Sequence, residues 1–231
     1  MKTLLPWLLW LWIGLVIVAG YAFAPPLAGF VGGGESSRIL FFHVPMAWTS
    51  FVAFLAAGIW SALYLGRKTR KRRHDLAAAA AVEIGLVFCL LATLSGAWWA
   101  WIEWGGARWE LSAFWNWDPR QLSITAALLY YAAYLALRSQ VADAEVRGRI
   151  AGAYAVLGLF VAPFLFFVAP RMATFSLHPE PVINPEGEVR MDPSVLWLLL
   201  AGSLGFTVLF FWMHNLATRL AVLEDRNEEE G

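Results

Sequence analysis

The chain contains very little cysteine and few charged residues. Cys89 is the only cysteine among 231 residues, so an intramolecular disulfide is excluded, and its apolar surroundings are typical of a small buried hydrophobe. No Cys-x-x-Cys-His motif for covalent attachment of a c-type prosthetic group occurs. Gly32, Gly33 and Gly34 are not followed by a Lys-Ser or Lys-Thr pair, which excludes a phosphate-binding loop. Charged residues make up 15% of the chain, and the formal net charge is zero. Because the basic residues are sorted by membrane side and are not massed on one surface, no nucleic-acid partner is predicted.

Apolar residues, in contrast, make up 60% of the chain, and 14 residues are Trp. This composition is not that of an ordinary soluble domain. A helix needs about 20 apolar residues to cross a hydrocarbon core of ~30 Å. We therefore predict an all-α, polytopic membrane protein with six transmembrane helices, forming a single domain over residues 1–231. The apolar runs are Leu4–Ala24, Ile39–Leu65, Leu76–Trp101, Leu122–Leu137, Ile150–Val168 and Val195–Ala217.

The distribution of Lys and Arg predicts how these helices are oriented. Twelve of the 17 basic residues fall on one side, six of them between Arg67 and Arg73, and five fall on the other. Because cytoplasmic loops are rich in basic residues, both termini should be cytoplasmic. The basic run could alternatively bind anionic lipid or nucleic acid, and the first helix could be a signal peptide ending at Ala22-Phe23-Ala24. The predicted external connections are residues 25–38, 102–121 and 170–194, and the predicted cytoplasmic tail is residues 218–231, with a frayed acidic stretch at 224–230.

Two of the four histidines are predicted at the outer edge of the membrane. His43 lies about one turn inside the second helix, and His178 lies in the last external connection. An imidazole nitrogen is a strong axial ligand for haem iron, and two imidazoles from opposite faces would fill both axial positions. An interfacial histidine bonded to a carbonyl or a lipid head group is the alternative. His74 and His214 are predicted on the cytoplasmic side, without a role in the site.

Tryptophan is concentrated near the same edge. Seven of the 14 tryptophans lie within residues 98–117, at the end of the third helix and in the connection after it. An interfacial aromatic belt is the alternative explanation, but a belt spreads tryptophan over many helix ends. Indole rings provide stacking area for a porphyrin at low conformational cost, so we predict a ligand platform. Its predicted members are Trp104, Trp109, Trp115 and Trp117.

Charged residues in these connections suit the edge of a porphyrin. Arg108, Arg120 and Arg171 carry guanidinium groups, which bind carboxylates such as propionates in a bidentate manner. Arg120 is the preferred candidate among them, although each could be a solvated anchor. Asp118 is expected to tie its connection together through Arg120 or tryptophan N–H groups. Glu83, inside the third helix, is expected to snorkel or to pair with the basic run.

Two stretches of the chain together resemble the cytochrome c maturation protein C family, also called haem exporter protein C (CcmC). The first runs Arg38-Ile39-Leu40-Phe41-Phe42-His43-Val44-Pro45-Met46-Ala47-Trp48, and the second runs Trp115-Asn116-Trp117-Asp118-Pro119-Arg120-Gln121-Leu122-Ser123. The resemblance spans most of the chain. The His-Val-Pro and Trp-x-Trp-Asp-x-Arg elements are specific in combination.

The resemblance implies a bacterial inner-membrane protein that binds haem b non-covalently and presents it at the outer face to a membrane-anchored haem chaperone. His43 and His178 match the family's two axial histidines. The core of the family's WWD motif corresponds to Trp115, Trp117, Asp118 and Arg120. A small single-span subunit, an ATP-binding cassette transporter pair and the lipid bilayer are the other implied partners. Neither a catalytic residue nor a nucleotide site is expected.

The chain departs from the family pattern at two points. Trp104-Gly105 is separated from Trp115 by a charged stretch, and Gln121 stands where Leu is common. Larger relatives in the same superfamily are haem lyase subunits, so a haem-cytochrome c ligase subunit is one alternative function. A b-type electron-transfer subunit of a quinone enzyme is another, although such proteins hold histidines deep within their helices. The predicted function is haem binding and transfer without catalysis.

Overall fold

The computed structural model describes residues 4–26, 34–105, 111–178 and 191–230. It confirms the all-α prediction for these residues. Six helical segments are long and apolar enough to cross a membrane. The helices are α1 (Leu5–Ala22), α2 (Leu40–Leu65), α3 (Arg72–Trp104), α4 (Pro119–Gln140), α5 (Ala144–Pro163), α6 (Ala169–Met172) and α7 (Pro193–Glu230), and two 3₁₀-helices cover Gly34–Ile39 and Leu111–Phe114.

Two helix ends differ from the predicted boundaries. The third apolar run was expected to end near Trp101, but α3 continues to Trp104. Trp104, which was expected in the connection, therefore belongs to the helix together with Trp98, Trp99 and Trp101. The acidic tail was expected to be frayed, and this expectation is wrong, because α7 continues to Glu230.

Helices α2 and α3 form the centre of the bundle. Small residues allow them to approach closely, as is common where membrane helices pack without a hydrophobic driving force. A Cβ added to Gly85 of α3 would lie 2.8 Å from the Phe54 ring of α2. Cys89 is fully buried at this contact, as expected.

Aromatic residues join α4 and α5 to this centre. The ring of Tyr131 in α4 stacks on Phe54 with centroids 3.6 Å apart. Tyr130 and Tyr154 form two reciprocal hydrogen bonds, in which each hydroxyl donates to the backbone carbonyl of the other residue, at 2.8 and 3.1 Å. Both partly buried hydroxyl groups therefore have hydrogen-bond partners within the bundle.

An ion cluster joins three helices at the end of the bundle that carries Arg67–Arg73, which we call the arginine end. Asp75 of α3 is 2% exposed. Arg72 donates to it at 2.7 Å and Arg138 of α4 at 2.5 Å. Arg72 also pairs with Asp225 at 2.7 Å. This last contact explains why the final turns of α7 stay ordered instead of fraying.

The helical hydrogen-bond pattern changes between α5 and α6 at the opposite end of the bundle, which we call the tryptophan end. Pro163 closes α5, and a π-helical turn over Phe164–Val168 leads into α6. Proline supplies no backbone N–H donor, so regular helical bonding is interrupted on either side of such a residue. Single π-turns are frequent at functional sites. After α6 the chain passes directly to His178.

Candidate functional site

His43 lies in the first turn of α2, where the preceding 3₁₀-helix Gly34–Ile39 leads into it. Its half-buried ring rests on α3, with Nδ1 3.0 Å from Oγ of Ser95. Gly96 makes this approach possible, because a Cβ there would lie 2.8 Å from Cε1 of the ring. Pro45, two residues further on, is fully buried inside the helix. Ser95 and Gly96 were not anticipated from the sequence.

His178 also contacts α3 at the same end of the bundle. Its half-buried ring packs against the ring of Trp99, with centroids 5.9 Å apart and planes inclined by 48°. Trp99 itself is only 7% exposed, so it forms a buried surface against which the His178 ring packs.

One stripe of α3 therefore contacts both histidines. Ser95 and Trp99 are four residues apart, which places them on the same helical face and about 6 Å apart along the axis. Glu103, a further four residues along, is buried and accepts a hydrogen bond from Ser36 of the 3₁₀-helix before α2. The stripe thus supports both the start of α2 and the segment that bears His178.

Asp118 connects the tryptophan-rich segment to the histidine-bearing segment. One carboxylate oxygen accepts from the backbone N–H of Arg120 at 2.9 Å and caps α4. The other accepts from Oγ of Ser176 at 2.9 Å and from the backbone N–H of Leu177 at 2.8 Å. The backbone N–H of His178 in turn donates to Oγ of Ser176 at 3.2 Å.

This network extends what the sequence suggested for Asp118. The bond to the Arg120 backbone was anticipated, but the remaining contacts lead to the distant segment instead of to tryptophan. Because Asp118 is 4% exposed, its hydrogen bonds are shielded from water and their loss would leave buried groups unsatisfied. The carboxylate thus ties together two segments separated by more than fifty residues.

Trp117 occupies an unusual backbone conformation. Its φ is 55°, in the left-handed region that non-glycine residues rarely adopt, and its ring is 71% exposed. The ring of Trp115 lies 6.4 Å away, edge to face. Gln121, noted above as a departure from the family pattern, accepts from the Asn116 backbone N–H at 3.0 Å. The chain is thereby held on both sides of Trp117.

The tryptophans on α3 are arranged in two edge-to-face pairs. Trp98 and Trp101 have ring centroids 5.6 Å apart, and Trp99 and Trp104 are 5.5 Å apart. Trp98 is 57% exposed, whereas Trp99 is buried. The tryptophan cluster on α3 is therefore buried in one part and exposed in another. Trp109, which was predicted to belong to the site, and Arg108, which was one candidate for binding propionates, lie outside the described residues.

Arg120 is the most distinctive charged group at this end. Its Nε is buried and has no hydrogen-bond partner within the ranges that the structure describes. The guanidinium charge interacts with those of Asp118 and Arg171, while Arg171 donates to the carbonyl of Phe167 at 2.6 Å. Such a half-buried arginine, whose Nε donor is unpaired among the described residues, suits an anionic ligand group.

The other two histidines lie at the arginine end. Nε2 of His214 is 2.9 Å from the carbonyl of Ala77. The ring of Trp60 lies between His214 and His74, at centroid distances of 6.1 and 5.4 Å. The structure thus brings His43 and His178 to one end of the bundle and places His74 and His214 at the other.

Comparison with known proteins assigns the chain to a family. All of residues 1–231 match the profile of the family described as heme exporter protein C. The chain belongs to the heme exporter protein C family. Relatives of that name include the protein of Bradyrhizobium diazoefficiens, 33% identical over 84% of this chain and 69% of its own length. The Rhodobacter capsulatus protein is 30% identical over 95% and 82%, and that of Escherichia coli K12 is 29% identical over 80% and 70%.

Heme exporter protein C is a haem-handling protein of cytochrome c maturation, and this member has six candidate membrane spans. The family resemblance deduced from the sequence is therefore confirmed. Residues that the motif did not reveal are Ser95, Gly96 and Ser176. Ser95 and Gly96 are small residues within an apolar run, and such residues are also common in ordinary helix packing.

Proposed function

We propose that this heme exporter protein C family member binds haem b non-covalently at the tryptophan end and presents it to a membrane-anchored haem chaperone. His43 and His178 provide the two axial nitrogen ligands. The observation that carries this proposal is the Asp118 network, because it joins the tryptophan segment to the backbone of His178. The α3 stripe that contacts both histidine rings supports the same arrangement.

The residues present suit a porphyrin. Haem, when bound, would supply an iron that imidazole nitrogens ligate, and His43 and His178 would hold it. Trp99, Trp104 and Trp115 provide apolar ring surface between the histidine-bearing elements. Arg120 has an unpaired buried Nε that can donate to a propionate carboxylate. Imidazole, indole and guanidinium groups thus match the metal, the ring and the acidic edge of one ligand.

The exposed part of the cluster suits hand-over to a partner. Trp117 and Trp98 present their rings at the surface, with 71% and 57% of each exposed. Aromatic side chains are enriched at protein interfaces because they bury much area at low entropic cost. We assign this surface as the docking site for the haem chaperone. The other proposed partners are a small single-span subunit and an ATP-binding cassette pair, and the chain itself has no catalytic role in the proposal.

The proposal places the tryptophan end outside the cytoplasm. The basic residues of Arg67–Arg73 support this, because they lie at the opposite end of α3 from the site. Ser112→Cys and Ser139→Cys introduce thiols at exposed positions on the two ends, against a background in which Cys89 is buried. In intact spheroplasts, a membrane-impermeant maleimide should label the cysteine at 112 and not the one at 139. The reverse pattern would overturn the orientation.

Haem content after gentle detergent extraction tests the binding site. His43→Ala and His178→Ala should each abolish or shift the absorption spectrum of the co-purified haem. His74→Ala and His214→Ala are matched controls at the arginine end and should retain the wild-type spectrum. Wild-type spectra for all four variants would refute the axial assignment. Formation of a thioether product with an apocytochrome Cys-x-x-Cys-His peptide would instead favour a ligase.

A further inference from the structure

We propose that Ser95 is a positioning residue that sets the tautomer and orientation of His43, so that Nε2 of this imidazole is free to bind metal. This inference rests on the proposed function, since it concerns how one proposed axial ligand is prepared. The motif around His43 contains no indication of it, because Ser95 lies on a different helix, 52 residues away in sequence.

The hydrogen-bonding capacity of Ser95 determines the direction of its bond to His43. A serine hydroxyl has a single hydrogen to donate and two lone pairs to accept with. Oγ of Ser95 donates within α3 to the carbonyl of Leu91 at 2.8 Å, and the Ala92 carbonyl lies 3.1 Å away. With its hydrogen used in the helix, Oγ accepts from Nδ1–H of His43. This neutral tautomer leaves the lone pair on Nε2.

The opposite arrangement would not support ligation by Nε2. If Ser95 donated to Nδ1, the imidazole hydrogen would reside on Nε2, and that nitrogen would have no lone pair for iron. Metal-binding histidines generally donate their other ring N–H to an oxygen acceptor, which fixes the tautomer and raises the basicity of the ligand. Ser95 is in position to be that acceptor.

Gly96 leaves the space that the His43 ring occupies in this position. A Cβ at this position would lie 2.8 Å from Cε1 of His43 and 3.5 Å from each ring nitrogen. The neighbouring residues Ser95 and Gly96 therefore act together: one accepts the hydrogen bond, and the other leaves space for the ring plane that the bond requires. A ring held in this way is prepared for ligation before haem arrives, which reduces the entropic cost of binding.

Haem titration and redox potentiometry of purified protein test this role. Ser95→Ala should lower haem affinity about tenfold, a loss typical for the removal of a metal ligand's hydrogen-bond partner. It should also raise the midpoint potential of the bound haem, because a less basic imidazole stabilises ferric iron less. Ser95→Thr retains the hydroxyl and should restore both quantities. A loss of packing alone would lower haem content without this rescue.

Thr93→Ala is the matched control. Thr93 lies on the same helix and donates to the carbonyl of Cys89 at 2.8 Å, so its replacement removes a similar hydroxyl elsewhere. It should leave affinity and potential unchanged. Gly96→Ala should displace the ring and lower affinity even with Ser95 intact.

The two proposals fail in different ways. Loss of haem in His43→Ala together with unchanged affinity and potential in Ser95→Ala would overturn the positioning role and leave haem ligation standing. Retention of the wild-type spectrum in His43→Ala would overturn the ligation itself. Failure of Ser95→Thr to restore the potential would also refute the proposed hydrogen bond.

Discussion

The two ends of the helix bundle use similar residue types in different ways. Each end has two histidines, tryptophan, arginine and a buried aspartate. At the arginine end, Asp75 pairs with guanidinium groups of Arg72 and Arg138. At the tryptophan end, Asp118 accepts hydrogen bonds from backbone and hydroxyl groups, and the buried Nε of Arg120 has no partner within the described part of the chain.

This difference separates a structural cluster from a candidate binding site. Where a carboxylate neutralises an arginine, both charges are used in holding helices together. Where the carboxylate instead organises loops, the arginine remains available for an anionic ligand. Residue types alone do not distinguish these cases, because the distinction depends on which donor each carboxylate reaches.

The largest expected effect on stability is that of Arg138→Ala. Asp75 is 2% exposed, and removal of one partner from a buried ion pair costs about 3–5 kcal/mol. Since Arg72 still pairs with Asp75, we expect a loss of about 3 kcal/mol, measured by thermal unfolding in detergent, with haem binding by the folded fraction unchanged. Arg149→Ala, which breaks an exposed pair with Glu145, should change stability by less than about 1 kcal/mol. If Arg138→Ala lost haem while keeping its stability, the ion cluster at the arginine end would contribute to binding, and the contrast between the two ends would be wrong.

Asp118→Ala should produce the largest loss of haem binding after the histidine variants. It removes the cap of α4 and both bonds to the His178 segment, and buried hydrogen bonds to a charged group contribute about 1.5–3 kcal/mol each. We expect haem affinity to fall by more than about tenfold, which corresponds to ~1.4 kcal/mol, as measured by spectroscopic titration. Asp192→Ala is the control, because Asp192 accepts from Ser194 at the same end of the bundle and, among the described residues, forms no hydrogen bond with the site. Equal effects of the two variants would argue against a specific link to His178.

Arg120→Gln should have a smaller effect, confined to ligand binding. Glutamine keeps a hydrogen-bond donor and removes the charge, so we expect a loss of haem affinity of about fivefold, with stability unchanged because no ion pair of Arg120 is broken in the described ranges. Mesohaem esterified at both propionates should bind the wild type and the variant equally. Arg147→Gln, at the arginine end, is the control. If Arg120→Gln preferred haem with free propionates over the esterified form as strongly as the wild type does, another residue would recognise the propionates.

Several features were predictable because they depend on local composition. Apolar runs of membrane-spanning length predicted six helices, since backbone groups in lipid must be satisfied within each segment. The His-Val-Pro and Trp-x-Trp-Asp-x-Arg elements predicted the family. The boundary of α3 was misjudged at Trp101 because tryptophan at a helix end is compatible with either a helix or an interfacial connection.

The sequence by itself determined the number of spans, the separation of the histidines into two pairs and the family. Only the tertiary structure decided that Asp118 reaches Ser176 and that Ser95 reaches His43, because these contacts join segments more than fifty residues apart. Composition and periodicity describe which face of a helix is apolar. They do not specify which polar residues on different helices meet, since that depends on helix rotation and close packing in the assembled bundle.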